Sequence, residues 1–403
     1  MRLGDICSKI GSGATPRGGK EAYSTSGIPI IRSQNVLDWS FSSNGLAYLN
    51  DEQAKTLSNV EVHQGDILLN ITGDSVARAC IVPSDVIPAR VNQHVAILRP
   101  KEKANATFIL AWLQTNKDLL LKLASSGATR NALTKRMLEG LDINLPSIDI
   151  QNHIAELISL IQSKINLNIK LNGYLLELAT TRFEQALFKS NRVVRLGDIV
   201  KLEDSKRVPL NSRDRDARKG PYPYYGATSI MDYVDDYLFD GIRVLLGEDG
   251  SVIDESGRPI LQYVWGKYWV NNHAHILAAA SDYSLEAIYI ALQRTPISHI
   301  VTGAVQRKIS QRNLNKLKLE MPDAKSLEYL QDIFAAYRCN CEENRGLVSL
   351  RDALLPKLMS GEIDVSKIDV AQLNSHLEKR KAAASVLSLI FPIALPGLWS
   401  PMQ

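Results

Sequence analysis

Residues 127–146 read GATRNALTKRMLEGLDINLP, and residues 303–322 read GAVQRKISQRNLNKLKLEMP, the same pattern at one constant offset without a gap. Each block precedes a long segment with apolar periodicity. Two other pairs repeat in the same order along the chain: MRLGDICSK from Met1 with VRLGDIVK from Val194, and VNQHVAIL from Val91 with VNNHAHIL from Val270. Two copies of a domain-plus-helix unit in one polypeptide predict a pseudo-dimer, which suits a ligand with two similar halves.

The composition is that of a soluble globular protein with a slightly basic charge. The 403 residues are 45% hydrophobic and 22% charged, which allows two or three domains with ordinary cores. The net charge is only +4 and the isoelectric point lies near 8.7. Any anion-binding surface must therefore be local.

Neither the cysteines nor the chain ends indicate a secreted or membrane protein. No signal peptide is visible, and no disulfide or zinc spacing is present among the four cysteines: Cys7, Cys80, Cys339 and Cys341. A reducing cytoplasm is the expected location, and the last two cysteines are expected on a helix. The apolar run 382–399 is interrupted by prolines, too short to span a membrane, and interpreted as a tail.

The pattern of apolar runs and turn residues predicts an α+β (mixed α/β) fold with two similar globular domains. Strands are predicted at 28–32, 66–71 and 94–99 and a helix at 107–123, then strands at 244–246, 260–264 and 275–279 and a helix at 285–293. The predicted division of the chain is a recognition domain at 1–146, a spacer helix at 147–190, a second recognition domain at 191–323, a second spacer helix at 324–362 and a tail at 363–403.

The two long helical segments carry matched heptad seams. Both seams are apolar at their N-terminal ends and have a polar residue at the same place, Asn168 and Asn344. An antiparallel intramolecular coiled coil is therefore predicted, with one domain at each end and a pseudo-two-fold axis. Helices of roughly 40 residues would be about 60 Å long, so DNA half-sites ~34–36 Å apart fall within their span. The alternative is that each helix packs against its own domain.

A search for catalytic patterns gives only near misses. The segment ATPRGGKE at 14–21 resembles a phosphate loop, but Ala14 replaces its first glycine and Glu21 its Mg²⁺-binding hydroxyl. The Asn/Asp-Pro-Pro-aromatic motif of adenine methyltransferases is missing from the sequence. His273 and His275 could ligate a metal, yet a strand that begins at the repeated motif is the better interpretation. We therefore expect no catalytic residue and no metal site, and a protein that binds rather than reacts.

Double-stranded DNA is the leading ligand, because polar and basic residues recur in the same loops of both copies. In the first copy the candidates lie in a glycine-rich stretch, after a strand and in the repeated loop: Arg17, Lys20, Arg32, Ser33, Gln34, Asn35, Thr129, Arg130, Asn131 and Lys135. In the second copy they lie in the basic segment 206–219 and the repeated loop: Lys206, Arg207, Arg213, Arg215, Gln306, Arg307 and Lys308. The alternative is that these are ordinary solvated loop residues.

The chain resembles the specificity subunit of type I restriction–modification systems over about residues 1–362. The resemblance rests on RLGDI at both domain starts, YPYYGATSIMDYVDDYLFDGIRVLLGEDGS at 222–251, GKYWVNNHAHIL at 266–277 and LRDALLPKLMSGEI at 350–363. Four further DNA-binding candidates lie within these motifs: Tyr225, Lys267, Asn271 and Asn272.

The resemblance implies two target-recognition domains that each read half of a split DNA sequence, separated by spacer helices. It implies two modification subunits that carry S-adenosylmethionine and methylate adenine, joined by restriction subunits with ATP- and Mg²⁺-dependent activity. This chain itself would bind no cofactor. Because the two copies diverge outside the shared blocks, an asymmetric site is expected. The alternative is a stand-alone duplicated DNA-binding regulator without methylase partners.

Overall fold

The computed structural model describes residues 1–16, 18, 22–125, 131–303 and 306–368. The described residues form two compact units: unit 1 comprises Met1–Lys170 and 341–368, and unit 2 comprises Leu171–Asn340. The boundaries between the units fall inside the two longest helices, so each of these helices has one part in unit 1 and the other part in unit 2. The domain boundaries drawn from the sequence stay a prediction.

The elements of unit 1 follow the chain from α1 to the first part of α6. They are α1 (Leu3–Ile6), β1 (Cys7–Ser12), β2 (Ile28–Ile31), β3 (Ala47–Leu49), α2 (Asp51–Thr56), β4 (Glu61–Val62), β5 (Ile67–Asn70), β6 (Ala79–Ile81), β7 (Ala89–Val91), β8 (Val95–Pro100), α3 (Ala106–Thr115), α4 (Lys117–Ser125), α5 (Lys135–Glu139) and α6 (Ile148–Lys189). Short 3₁₀ turns connect several of them.

Two four-stranded sheets make up the body of unit 1. One is antiparallel, in the order β1-β8-β5-β6, and the other has the order β3-β2-β7-β4 with a parallel β2–β7 pair. The central strand β5 is buried on both faces: Ile67 and Leu69 pack with helix α3, whereas Leu68 packs against the second sheet. Because side chains alternate along a strand, a continuous apolar run is what such a position requires.

The elements of unit 2 continue from the second part of α6 to the first part of α11. They are β9 (Arg192–Arg195), α7 (Leu196–Ile199), β10 (Val200–Leu202), α8 (Ser212–Ala217), β11 (Lys219–Tyr225), β12 (Ile230–Val234), β13 (Phe239–Asp240), β14 (Arg243–Gly247), β15 (Leu261–Val264), β16 (Lys267–Val270), β17 (Ala274–Ala279), α9 (Leu285–Arg294), α10 (Gln311–Asn315), β18 (Lys318–Met321) and α11 (Tyr329–Ser360).

Unit 2 repeats the sheet topology of unit 1. Its antiparallel sheet has the order β10-β17-β14-β15, and its second sheet has the order β12-β11-β16-β13 with a parallel β11–β16 pair. Each strand of these two sheets therefore matches one strand of unit 1 in position and direction. An additional β18–β9 ladder closes the base of unit 2. The duplication and the mixed α+β fold predicted from the sequence are confirmed.

Within unit 1, α6 and α11 run antiparallel, as the heptad seams predict. Asn168 donates its Nδ2 to Oδ1 of Asn344 at 2.9 Å, and the Arg351 Nη1 donates to Oε1 of Gln162 at 3.0 Å. The matched asparagines of the two seams thus contact each other, as their equivalent heptad positions require. The ends of both helices also enter the core of the unit through Ile158 and Leu355.

Within unit 2 the other parts of these helices are likewise antiparallel. Asn340 donates its Nδ2 to Oδ1 of Asn172 at 2.8 Å, and Asn172 in turn donates to the carbonyl of Tyr337 at 3.3 Å. Farther along, Phe183 and Leu330 belong to one apolar cluster with the sheet. The helices therefore pair with each other and also pack on the domains, so both interpretations of the seams hold.

Two details of the helices refine the sequence predictions. The helix expected at 107–123 is two helices, since the chain leaves the helical conformation at Asn116, whose Nδ2 donates to the Trp112 carbonyl at 2.8 Å. Cys339 and Cys341 lie on α11, as predicted. In the part of the chain that the structure describes, no helix is both long and apolar enough to cross a bilayer.

Candidate nucleic-acid interface

The repeated sequence motifs meet in space at the same place in each unit. In unit 1 the loop after β5 forms backbone hydrogen bonds with both other motifs. The Ile71 amide donates to the His94 carbonyl at 3.0 Å, and the Ile71 carbonyl accepts from the Leu133 amide at 2.8 Å. We call residues 71–75, 92–94 and 131–134 the first loop cluster. Because these hydrogen bonds join the three segments, the exposed residues among those that the structure describes in them lie close together.

Unit 2 builds its cluster with the same hydrogen bonds. The Glu248 amide donates to the His273 carbonyl at 2.8 Å, and the Ile309 amide donates to the Glu248 carbonyl at 2.9 Å. We call residues 248–252, 271–273 and 306–310 the second loop cluster. The correspondence extends to a third bond, from Gly73 to Asn131 at 3.2 Å in the first cluster and from Gly250 to Arg307 at 3.0 Å in the second.

A buried asparagine shapes the turn at the centre of each cluster. Asn92 Oδ1 accepts from the His94 amide at 3.1 Å, and Asn271 Oδ1 accepts from the His273 amide at 2.8 Å. The histidine rings then reach the neighbouring loop, where His94 Nδ1 meets the Thr72 hydroxyl and His273 Nδ1 meets the Asp249 carboxylate, both at 2.6 Å. The asparagines therefore position the turn, and Asn272 at its tip is exposed.

A fourth element joins each cluster but differs between the units. The Asn92 amide donates to the Ile31 carbonyl at 2.9 Å, and the Asn271 amide donates to the buried Tyr225 at 3.0 Å, so the connections after β2 and β11 lie beside the turns. After β2 the connection is the long segment 32–46, whereas after β11 it is the tight turn 226–229. The two surfaces share a scaffold and diverge here.

In the long connection of unit 1, most of the candidate side chains hold the loop itself. Asn35 is buried, donates from Nδ2 to the Ser42 and Asn44 carbonyls at 2.9 and 3.2 Å, and accepts from the Arg32 amide. Arg32 is half-buried over the Tyr23 ring, and the Ser33 carbonyl accepts from a side chain on β5. Gln34 is exposed. DNA contact by Asn35 stays a prediction, and its burial argues against it.

The remaining candidates of unit 1 lie in or next to the repeated loop. Asn131 is exposed in the first loop cluster, and the exposed Lys135 at the start of α5 pairs with Glu139 at 3.5 Å. Four further candidates lie outside the described residues: Arg17, Lys20, Thr129 and Arg130.

The basic segment of unit 2 is largely tied down by ion pairs. Arg207 donates from Nη1 to Glu248 Oε2 at 2.6 Å and to the Ala274 carbonyl at 2.8 Å. Lys206 pairs with Glu203 at 2.5 Å, and the half-buried Arg215 pairs with Asp232 at 3.3 Å. Arg213 is exposed on α8. A net cationic loop was expected from composition, but many of these charges are neutralised locally.

The exposed candidates of unit 2 concentrate on the repeated loop. Gln306, Arg307 and Lys308 are all exposed in the second loop cluster, although Lys308 also reaches Glu248 Oε1 at 3.2 Å. Lys267 is exposed on the second sheet, where its Nζ lies 4.6 Å from the centre of the Tyr237 ring. Together with Asn272, the loop residues give this surface both hydrogen-bond donors and positive charge, as base edges and phosphates require.

Beneath the second cluster lies an ion network that sequence reasoning missed. His275 is fully buried, with Nδ1 at 2.5 Å from Asp204 Oδ2 and Nε2 donating to the Ile309 carbonyl at 2.8 Å. Burial acts to raise the pKa of the Asp204 carboxyl, but hydrogen bonds from His275 and the Ile276 amide outweigh it, and the pKa lies below its usual value. The network therefore pins residue 309 of the repeated loop to the sheet.

The geometry of this network bears on the metal interpretation. Asp204, Glu248 and His275 lie close enough to hold an ion, but both ring nitrogens of His275 already contact protein groups. The pKa of Glu248 is likewise lowered: burial raises it, and the hydrogen bond from Arg207 and the nearby His275 outweigh that effect. The two carboxylates thus already have protein partners. His273 points instead to Asp249, so the two histidines do not converge on one point.

Comparison with known proteins shows the family to which the two repeated units belong. The family model described as the type I restriction modification DNA specificity domain matches residues 1–175 and again 189–337. A putative type I restriction enzyme specificity subunit from Haemophilus influenzae is 30% identical over 127 residues, which is 32% of each protein. The MjaX and MjaIX specificity subunits of Methanocaldococcus jannaschii are 20% and 23% identical. Those two alignments cover 90% and 91% of this chain and 93% and 94% of the relatives.

A solved structure shares the fold. The S subunit of a type I restriction–modification system from M. genitalium aligns with a TM-score of 0.53 at 15% identity, covering 89% of this chain and 95% of that one. Since the family model matches both copies of the repeat and most of the chain, the protein belongs to the type I restriction modification DNA specificity family.

Proposed function

We propose that this chain reads a bipartite, asymmetric DNA sequence for a type I restriction–modification complex, with one half-site read by each loop cluster. The observation that carries the proposal is the repeated cluster itself. Three motifs that are far apart in the sequence are brought together twice by equivalent backbone hydrogen bonds. A duplicated scaffold of this kind fits a ligand whose two binding patches have the same backbone geometry, as duplex DNA has.

The side chains on the two scaffolds differ, which supports unlike half-sites. The first cluster presents Asn131, with Gln34 exposed in the connection after β2, whereas the second cluster presents Asn272, Gln306 and Arg307. Arginine suits guanine, and asparagine and glutamine suit adenine, so the clusters would select different base pairs. Basic residues elsewhere in each unit would add phosphate contacts, which strengthen binding without choosing a sequence.

In this proposal α6 and α11 set the spacing between the half-sites and dock two methylase subunits. Exposed apolar side chains at the helices support docking, among them Ile150, Ile169 and Leu350. The methylases would supply S-adenosylmethionine and the transfer to adenine, and restriction subunits would supply the chemistry that depends on ATP and Mg²⁺. Family membership speaks against the alternative of a stand-alone regulator without partners.

The test is co-purification followed by DNA binding. We expect the chain, expressed with the methylase chains encoded by its host, to be isolated in a complex with two of them. That complex should protect two patches of duplex separated by a fixed gap. A chain that is always isolated alone, or one that transfers methyl groups by itself, would contradict the proposal.

A further inference from the structure

Met231 is an apolar side chain held in an exposed position beside the second loop cluster. Its side chain is 54% exposed, although it lies on β12 within a sheet that buries most of its large apolar residues. Its printed contact with the second loop cluster is polar, because the Asn271 side-chain amide donates to the Met231 sulfur. This position therefore presents an apolar side chain to solvent next to a residue that shapes the second loop cluster.

The backbone at this position is irregular in a way that directs the side chain. Tyr224 pairs with Asp232 on the neighbouring strand, but the next residue, Tyr225, pairs with Ile230. Met231 is therefore the extra residue of a β-bulge on an edge strand. Bulges bend the strand locally and turn one side chain away from the regular alternation, and they recur beside functional sites.

Two contacts then fix where the methionine sits. The buried Asn271 donates from Nδ2 to the Met231 sulfur at 3.2 Å, while its Oδ1 holds the turn of the second loop cluster. Gly226 lies against the side chain, and a Cβ there would be 2.6 Å from the sulfur, so a larger residue at 226 would displace Met231 from this place. The same asparagine thus couples Met231 to the surface that carries the polar candidates.

We propose that Met231 determines specificity in the second half-site by contacting the C5-methyl group of a thymine in the major groove. The inference rests on the proposed function. Thymine is the base whose major-groove edge offers an apolar group. An apolar side chain against any other edge would leave a donor or acceptor of the base without a partner, which disfavours those bases. At the matching place the first unit has the long connection that starts at Arg32, so the effect belongs to one half-site.

The experiment uses the full chain in its methylase complex and duplexes in which uracil replaces single thymines. Uracil lacks only the methyl group, so the substitution isolates one contact. We expect wild type to lose about fourfold in affinity at one thymine of one half-site, the factor for one buried methyl group. Met231→Ala should bind more weakly and be indifferent to that uracil, whereas Met231→Leu, which stays apolar, should keep the penalty.

The matched control is Tyr233→Ala, which removes another exposed apolar side chain from the same strand outside the bulge. It should keep the wild-type uracil penalty. Three results would overturn the inference: a second half-site without an A·T pair, no uracil effect in wild type, or an undiminished uracil penalty in Met231→Ala. If Met231 instead unstacks the base pairs and the thymine methyl group has no effect on binding, the side chain acts by intercalation and the inference is also wrong. If wild type shows no bipartite preference at all, the proposed function fails and takes this inference with it.

Discussion

Replacing His275 with alanine should destabilise unit 2 without touching the exposed surface of its loop cluster. The change removes a partner from the Asp204 carboxylate, whose side chain is 2% exposed, and leaves the Ile309 carbonyl without its donor. Breaking a buried ion pair costs roughly 3–5 kcal/mol. Asp204 keeps donors from Ile276 at 2.8 Å and Gln311 at 2.7 Å, so we expect the lower end, about 3 kcal/mol.

The assay is thermal denaturation of the full chain, with hydrogen exchange of the β17 amides to assign the transition. For a unit of this size, about 3 kcal/mol corresponds to a Tm lowered by about 6–12 °C. The matched control is His273→Ala. The His273 side chain is 47% exposed where it contacts Asp249, so its removal should lower the free energy of unfolding by under about 1 kcal/mol. Adding Asp204→Asn to His275→Ala should recover part of the loss by removing the orphaned charge. Equal losses for His273→Ala and His275→Ala would refute the reasoning.

Three further outcomes are expected. The pKa values of Asp204 and Glu248 are lowered by folding, so their stabilisation is present above about pH 4 and lost as the pH falls through the lowered values; denaturation from pH 7 to pH 3 checks this, and greater stability in acid would contradict it. Asn35→Ala should cost unit 1 about 1–3 kcal/mol by removing a buried amide, whereas Gln34→Ala should change Tm little and relax only the first half-site; the reverse pattern would make Asn35 the base reader. Lengthening α6 and α11 together by matched turns should widen the preferred gap between half-sites, as methylation mapping measures, and an unchanged gap would show that the helices do not set it.

The parts of the fold that could be predicted are those encoded by local periodicity and by repetition. The seam residues Asn168 and Asn344 could be matched because a heptad pattern places both on the same face, and they do contact each other. The strands around Leu68 and Leu245 were evident because a strand buried on both faces is continuously apolar. The repeated motifs also indicated where the candidate surface lies.

What could not be predicted depends on contacts between residues distant in sequence. Arg207 looks like a phosphate-binding residue in a basic segment, yet it is directed inward to Glu248. The burial of Asn35 follows from carbonyls that only the folded connection brings to it. His275 carried a usable signal: it falls in a strand with an apolar run that is buried on both faces, where a polar residue needs a buried partner. The bulge at Met231 left no signal in the sequence that we recognise.

Methylated adenines mapped across the genome test the central claim most directly, in strains that carry wild type, Gln34→Ala or Arg307→Ala. Both side chains are exposed: Gln34 lies in the connection after β2, and Arg307 lies in the second loop cluster. The account predicts a two-part asymmetric motif for wild type, relaxed in one half by the first substitution and in the opposite half by the second. Relaxation of the same half by both substitutions, or a methylation pattern that does not depend on this chain, would contradict it.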